Sequence, residues 1–370
     1  IIKRYFSLDY IQKNNITLGQ RYLELTIIYY IFYGGGKTNL FSRFNDGPYA
    51  IKMTDSINNF IEKISIFNFD KLDFVKCSLP NWLYSEFYES FYNDTYKVCE
   101  SLNKEAHFDI RVKKGQNRDK IINNLKNKNI ISEKTTLSPI GIRINKRISI
   151  NNLIEYKKGL IEIQDEGSQI VSLLCGAKEN ETIIDLCAGA GGKSLLIADI
   201  LNNVKIIATD INLIRLDKIK DRVKRSKLVN KINIELNYHN INIRADRVIC
   251  DVPCSGSGAW RRRPEEKISL TQKKFKSLLV TQRNILNYGA SLTKIGGELV
   301  YITCSVLNNE NKSQINAFLQ DNINFEIVDL KYSWDNITKS KQWFGNEKYC
   351  QLLPNIHECD GFFIARLRKI

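Results

Sequence analysis

From residue 165 onward the chain alternates short apolar runs with longer segments of mixed polarity. Thr182–Leu186, Lys205–Thr209, Arg247–Cys250, Glu298–Thr303, Phe325–Val328 and Phe362–Leu367 read as buried strands. The segments between them carry helical periodicity. From Leu213 to about Leu228, Leu213, Leu216, Ile219 and Val223 recur at helical spacing, while Arg215, Lys218, Lys220, Arg222, Lys224 and Arg225 fill other positions on an expected solvated face. Such alternation predicts an α/β domain: a mostly parallel, doubly wound sheet with helices on both faces.

Upstream the pattern differs. Ser78-Leu-Pro-Asn-Trp-Leu83 opens a helix (Leu83–Phe91), then a strand (Phe108–Val112), a basic helix (about Asp119–Lys128) and short strands between Ile140 and Ile163. Together they describe a small α+β module. The first 70 residues read as short helices interrupted by a Gly34-Gly35-Gly36 loop. The expected division is therefore 1–70, 71–160 and 161–370.

Composition narrows the partner. In 370 residues, 43% hydrophobic content supports a buried core, while a formal charge of +15 favours a polyanion, nucleic acid before membrane. A rival account is that Lys and Asn richness reflects genomic base composition. The longest apolar run, Leu25–Tyr33, is well short of the roughly 18 residues a membrane helix needs. The nine cysteines include no Cys-x-x-Cys pair, and Cys350, His357 and Cys359 fit no common zinc spacing, so no metal is expected. Free thiols and the lack of a signal-like segment make the cytoplasm the expected location.

A glycine-rich turn follows the first strand of the large domain: Asp185-Leu-Cys-Ala-Gly-Ala-Gly-Gly-Lys193. Such a turn lets a ligand approach the backbone at a helix start. A Walker A loop would need glycine where Cys187 stands, and a dinucleotide fingerprint beginning at Gly189 would need glycine at Ser194. S-adenosyl-L-methionine fits better. Asp185 ends the first strand, and Asp210, 25 residues on, ends the second, where an acidic side chain can accept from ribose hydroxyls. Taken singly, either aspartate could be a helix cap or turn residue. The candidate cofactor residues are Asp185, Cys187, Ala188, Gly189, Ala190, Gly191, Gly192, Lys193 and Asp210.

Two cysteines stand apart from the rest. Cys254 and Cys304 each follow an apolar run and sit in turn-like surroundings, whereas Cys77, Cys99, Cys175 and Cys250 read as small core side chains. With Gln164-Asp-Glu-Gly-Ser-Gln169, the glycine loop, Asp251-Val-Pro-Cys-Ser-Gly-Ser-Gly-Ala-Trp-Arg-Arg-Arg-Pro264, Tyr301-Ile-Thr-Cys-Ser305 with Glu310-Asn311, and Asp360-Gly-Phe-Phe-Ile-Ala-Arg366, the chain resembles the Nop/Sun family of RNA cytosine-C5 methyltransferases. The resemblance is strongest to the bacterial RsmB-like branch and covers about residues 78–370. It implies a Rossmann-like, S-adenosyl-L-methionine-dependent methyltransferase domain, preceded by a small α+β RNA-binding module and a helical N-terminal region.

The resemblance also assigns roles. Cytosine C5 is a poor nucleophile, so a thiolate first adds to C6. By the family pattern Cys304 is that nucleophile, Cys254 helps release the product, and Asp251 holds the base edge and lies near the cofactor. Pro253 fixes the turn, and Arg261, Arg262 and Arg263 are placed to meet a phosphate backbone. Trp260 could stack on a base or simply pack, and Lys193 could serve cofactor or active site. Where the family carries an adenine-binding aspartate, this chain has Asn237, whose amide oxygen can still accept. The implied substrate is RNA, 16S ribosomal RNA first and transfer RNA second, for a monomeric cytoplasmic enzyme. A DNA cytosine-C5 methyltransferase is disfavoured by the second cysteine, and a catalytically silent ribosome assembly factor by the intact motifs.

Overall fold

The structure, a computed structural model, describes residues 24–29, 55–65, 73–339, 343–346 and 348–370. The Gly34–Gly36 loop lies outside them. The chain divides into two compact units, one of residues 1–104 with 263–269 and one of residues 105–262 with 270–370. In the first, residues 24–29 and Asp55–Ser65 are helical, as are Asn81–Phe91 and Thr95–Asn103. Val75, Leu79, Leu83, Phe87, Val98 and Leu102 are buried there.

The second unit holds two sheets. The small one pairs β1 (Phe108–Val112), β2 (Ser132–Lys134), β3 (Gly141–Ile144) and β4 (Ile161–Ile163) in the order β2-β3-β1-β4, all antiparallel. Ile110, Val112, Ile142, Ile144 and Ile161 form a core with Ile121 and Leu125 of the helix Arg118–Lys126. That helix is capped by the Asn117 side chain.

The large sheet comprises β5 (Thr182–Asp185), β6 (Lys205–Ala208), β7 (Ile232–Ile234), β8 (Ala245–Asp251), β9 (Thr293–Thr303), β10 (Phe325–Val328), β11 (Gly345–Asn346), β12 (Tyr349–Leu352) and β13 (Phe362–Lys369). Its order is β11-β12-β13-β9-β8-β5-β6-β7, with β10 also on β13. From β9 to β7 the pairing is parallel, while β13 runs antiparallel to β9. Successive residues serve opposite faces. Ile183, Ile249, Val300 and Ile302 meet the helices Glu166–Leu174, Gly192–Ile200 and Leu213–Arg225, while Ile184, Val248, Leu299 and Tyr301 meet Gln272–Leu292 and Lys312–Asp321. Each such Ile or Leu contributes about 1.5–3 kcal/mol by leaving water.

The anticipated strands are present; β2, β7 and the β11–β12 hairpin were missed. Ile232-Asn-Ile234 is too short to show a period, and Cys350 and Gln351 interrupt any apolar run. Leu213 also departs from expectation. It starts its helix and is exposed, so the buried stripe is Leu216, Ile219 and Val223.

Away from the ligand edge, a charge cluster fixes the strands that carry the site. Arg247 on β8 stands opposite Glu298 on β9, and its guanidinium donates to Glu298 (2.6 Å), Glu181 (3.0 Å) and the Cys175 carbonyl (2.8 Å). Arg366 on β13 donates to the same Glu298 oxygen at 2.7 Å. Burial works against the Glu298 charge, but Arg247 and Arg366 hold its carboxyl below the usual range. Glu298→Gln should therefore lower unfolding stability by about 3–5 kcal/mol at neutral pH, because it takes from buried Arg366 and Arg247 the carboxylate they share and leaves Arg247 with Glu181 alone. Because the folded-state pKa is depressed, this stability is present above the ordinary carboxylate pKa and lost as pH falls. Urea titrations of both proteins across that range should show the gap narrowing toward acid; a constant gap would mean the loss is not electrostatic.

Candidate active site

The carboxyl ends of β5, β6, β8 and β9 share one edge of the sheet, where open α/β sheets bind ligands. Asp185 closes β5, Asp210 lies two residues beyond β6, Asp251 closes β8, and Cys304 directly follows β9. The sheet thus gathers residues spread over some 120 positions.

The glycine loop turns sharply into the helix Gly192–Ile200. Gly189 and Gly191 adopt φ of +56° and +79°, and a side chain at Gly189 would strike the Arg215 guanidinium. The Asp210 carboxylate accepts from the amides of Gly189 and Asn212, both at 2.7 Å, leaving lone pairs on each oxygen. Arg222 donates to the Ala190 carbonyl and pairs with Glu162 of β4. The Cys187 side chain packs against the apolar cluster under β8, and burial raises its pKa. Asp185 accepts from Ser194 Oγ at 2.5 Å through one oxygen, whereas the other is buried without a partner, as is Thr209 Oγ1. Burial pushes the Asp185 carboxyl up to about 7, with Ser194 opposing and Asp251 adding to the rise. Orphaned acceptors beside a glycine-lined helix start suit a ligand with hydroxyl and ammonium donors.

Lys193, left open by the sequence, lies against the active site. Its buried ammonium donates to Asp251 Oδ2 at 2.5 Å and sits 5.3 Å from the Phe362 ring centre. Burial favours the neutral amine, but Asp251 outweighs it and the Lys193 pKa is raised. The two half-buried thiols, Cys254 and Cys304, are 3.4 Å apart. Contact with Cys304, reinforced by burial, raises the Cys254 pKa well above that of a free thiol.

Several sequence expectations are corrected at this edge. Arg261 is buried and bonded to Asp360 at 3.1 Å; Arg262 joins Asp360 (2.6 Å) and Asp165 (2.5 Å). Their charges are paired within the protein, which argues against the expected role of both as phosphate contacts. Arg263 is exposed and pairs with Glu266. Trp260 packs: it is buried, and its indole donates to the Ser255 carbonyl at 3.2 Å. Asn237 is exposed, with its side-chain oxygen accepting from the His239 amide at 3.1 Å. Pro253 is exposed, and its carbonyl accepts from Gln282 at 3.1 Å. Gln282 and Ser255 escaped the sequence reading because no spacing signals a partner on a distant helix or turn. Among the described residues no group of three or more His, Cys, Asp or Glu side chains could hold a metal ion.

The model of the 16S rRNA methyltransferase RsmB/F family matches residues 172–368, more than half of the chain. The chain belongs to that family. Residues 79–151 match the ferredoxin-like domain of RsmF/B-like methyltransferases. Ribosomal RNA small subunit methyltransferase B of Photorhabdus laumondii is 29% identical over 295 residues, covering 78% of this chain and 66% of the relative. The chain thus spans just under two thirds of that relative's length. The crystal structure of PH0851 superposes with TM-score 0.81 at 25% identity, covering 100% of this chain and 88% of that one. NSun6 from Pyrococcus horikoshii, solved with SFG, gives TM-score 0.68 at 20% identity over 79% and 98% of the two chains. The architecture is the Rossmann-like methyltransferase fold of the RsmB/F family, with a ferredoxin-like domain ahead of it.

The raised Asp185 carboxyl carries a pH signature. Its folded pKa of about 7 exceeds the ordinary 3.8, so its contribution is complete below about 4 and is lost as pH rises through 7. Asp185→Asn should abolish that loss. Relative to wild type, the variant should gain up to about 4 kcal/mol between pH 4 and 8, following 1.36 kcal/mol per pKa unit. Urea unfolding at the two pH values measures it; parallel pH dependences would show that Asp185 titrates normally.

Proposed function

We propose that the protein methylates cytosine C5 in small-subunit ribosomal RNA, using S-adenosyl-L-methionine. The observation that carries this reading is the pair of thiols 3.4 Å apart at the ends of β8 and β9, beside the Lys193–Asp251 ion pair. Family membership and the +15 charge support an RNA substrate. Among the described residues no helix is long and apolar enough to cross a membrane. SFG, held by the Pyrococcus NSun6, is an analogue of S-adenosyl-L-methionine.

Asp185, Asp210 and the backbone of Cys187–Lys193 would hold the cofactor, which when bound supplies an electrophilic methyl group. The chain supplies the activation of the base. The target cytosine leaves its stack or is already unpaired, since C6 is inaccessible inside a helix. The Cys304 thiolate adds to C6, forming a carbon–sulfur bond and making C5 nucleophilic. Asp251 accepts from the N4 amino group and, once the adduct is protonated at N3, from that edge as well, and the Lys193 ammonium holds the carboxylate in place. After methylation a base such as water takes the C5 proton, the C–H electron pair re-forms the C5–C6 double bond, and the Cys304–C6 bond breaks to regenerate the thiolate. Cys254, its sulfur 3.4 Å from that of Cys304, stands next to the bond that must break.

The test is a denaturing gel of Cys254→Ala, Cys304→Ala and the double variant, each incubated with S-adenosyl-L-methionine and unmodified 16S ribosomal RNA or transfer RNA. Cys254→Ala should trap an RNA adduct that survives denaturation. The double variant should show none, and Cys304→Ala should lose turnover by about a thousandfold or more. An adduct with Cys304→Ala alone would reverse the two roles, and one formed only with transfer RNA would move the substrate.

A further inference from the structure

Glu310 and Asn311 follow Cys304 by six and seven residues, and both side chains are buried, at 0% and 1% exposure. The Glu310 carboxylate faces the Cys254 turn. Its Oε1 accepts from the Ser255 amide at 2.7 Å and from Gln282 Nε2 at 2.9 Å, and its Oε2 accepts from Ser255 Oγ at 2.5 Å. Gln282 also donates to the Pro253 carbonyl. Both residues flanking Cys254 are thus held through one carboxylate and one amide. Asn311 faces the other cysteine. Its Oδ1 accepts from Thr303 Oγ1 at 2.6 Å, and its Nδ2 donates to the Ser305 carbonyl at 2.9 Å and to Gln351 at 3.0 Å. Both residues flanking Cys304 are thereby fixed. The turns are tied together by Ser257 Oγ with Ser305 Oγ (3.0 Å) and by the Gly258 amide to the Cys304 carbonyl (2.9 Å).

We propose that the Glu310-Asn311 dipeptide is the positioning element of the two-thiol site, Glu310 setting the place of the release thiol and Asn311 that of the nucleophile. The inference rests on the cysteine roles proposed above. Neither residue is a catalytic group; each acts through the residues on either side of a cysteine, and adjacency in sequence couples the two placements. A thiol displaced by an ångström loses reaction geometry without losing the fold. The two halves of the dipeptide therefore affect different steps.

Isosteric variants separate them. Glu310→Gln turns an N–H toward a cluster of donors, and Asn311→Asp keeps the acceptor for Thr303 while removing the donor to Ser305 and Gln351. With S-adenosyl-L-methionine and 16S ribosomal RNA, Glu310→Gln should form the covalent adduct within about twofold of the wild-type single-turnover rate. Its steady-state turnover should fall about tenfold as adduct accumulates, with KM for RNA unchanged. Asn311→Asp should slow adduct formation itself about tenfold and accumulate none. Ser255→Ala, which removes the hydroxyl donor to Glu310 and the acceptor for the Ser257 amide but keeps the Ser255 amide, should shift in the direction of Glu310→Gln by a smaller factor. Thermal unfolding and cofactor titration run on every variant. A change in unfolding temperature with both rates intact, or an equal fall of both rates in both dipeptide variants, overturns the proposal. Cys254→Ala and Cys304→Ala serve as references. If they fail to trap and to abolish adduct, the cysteine roles fall and this inference with them; if they behave as expected while the dipeptide variants match wild type, this inference alone falls.

Discussion

A carboxylate sealed from water needs donors on its oxygens, and at Glu310 that requirement organises the edge of the sheet that carries the two thiols. Burial raises the Glu310 pKa, while the Ser255 hydroxyl and amide, Ser305 and Gln282 oppose the rise. Satisfying it draws the turn after β8, the helix Gln272–Leu292 and the turn after β9 to one point. Close packing does the rest. Gly258 and Gly361 touch backbone to backbone, and a Cβ at Gly258 would come within 2.1 Å of the Gly361 carbonyl. The chain leading into β13 therefore presses directly on the turn that carries Cys254.

The same principle disposes of much of the arginine charge. Arg111 pairs with Asp199, Arg143 with Asp109 and Glu166, Arg222 and Arg225 with Glu162, and Arg247 with Glu181 and Glu298. Glu162, on β4 of the small sheet, reaches the helix Leu213–Arg225, and Arg222 continues to the glycine loop. Asp199, in the helix that begins at that loop, accepts from Arg111 and from the Lys114 amide. The small sheet is thus bonded both to the helix that starts at the glycine loop and to the helix Leu213–Arg225. Arginine suits these places because its planar fork satisfies two acceptors at once. The basic excess available to a polyanion therefore lies with exposed lysines more than with these arginines.

Most of the strands were legible because a strand buried on both faces leaves a continuous apolar run, as at Thr182–Asp185 and Leu299–Thr303. The glycine loop and the two cysteine turns were legible for a related reason. Each occupies a few consecutive residues at a strand end, so local spacing carries it. β7 and the hairpin β11–β12 were not, since short strands are held by their neighbours rather than by a periodicity of their own.

What the amino-acid order determined by itself was the doubly wound architecture, the position of the ligand edge and the identity of the residues that meet there. Only the folded chain decided which charges stay available. Arg261 and Arg262 read as a basic loop until Asp360, nearly 100 residues away, is brought against them, and Lys193 stayed between a cofactor and an active-site role until Asp251 closed on it. Ion pairing depends on separation in space and on burial, neither of which is encoded in the local spacing of residues.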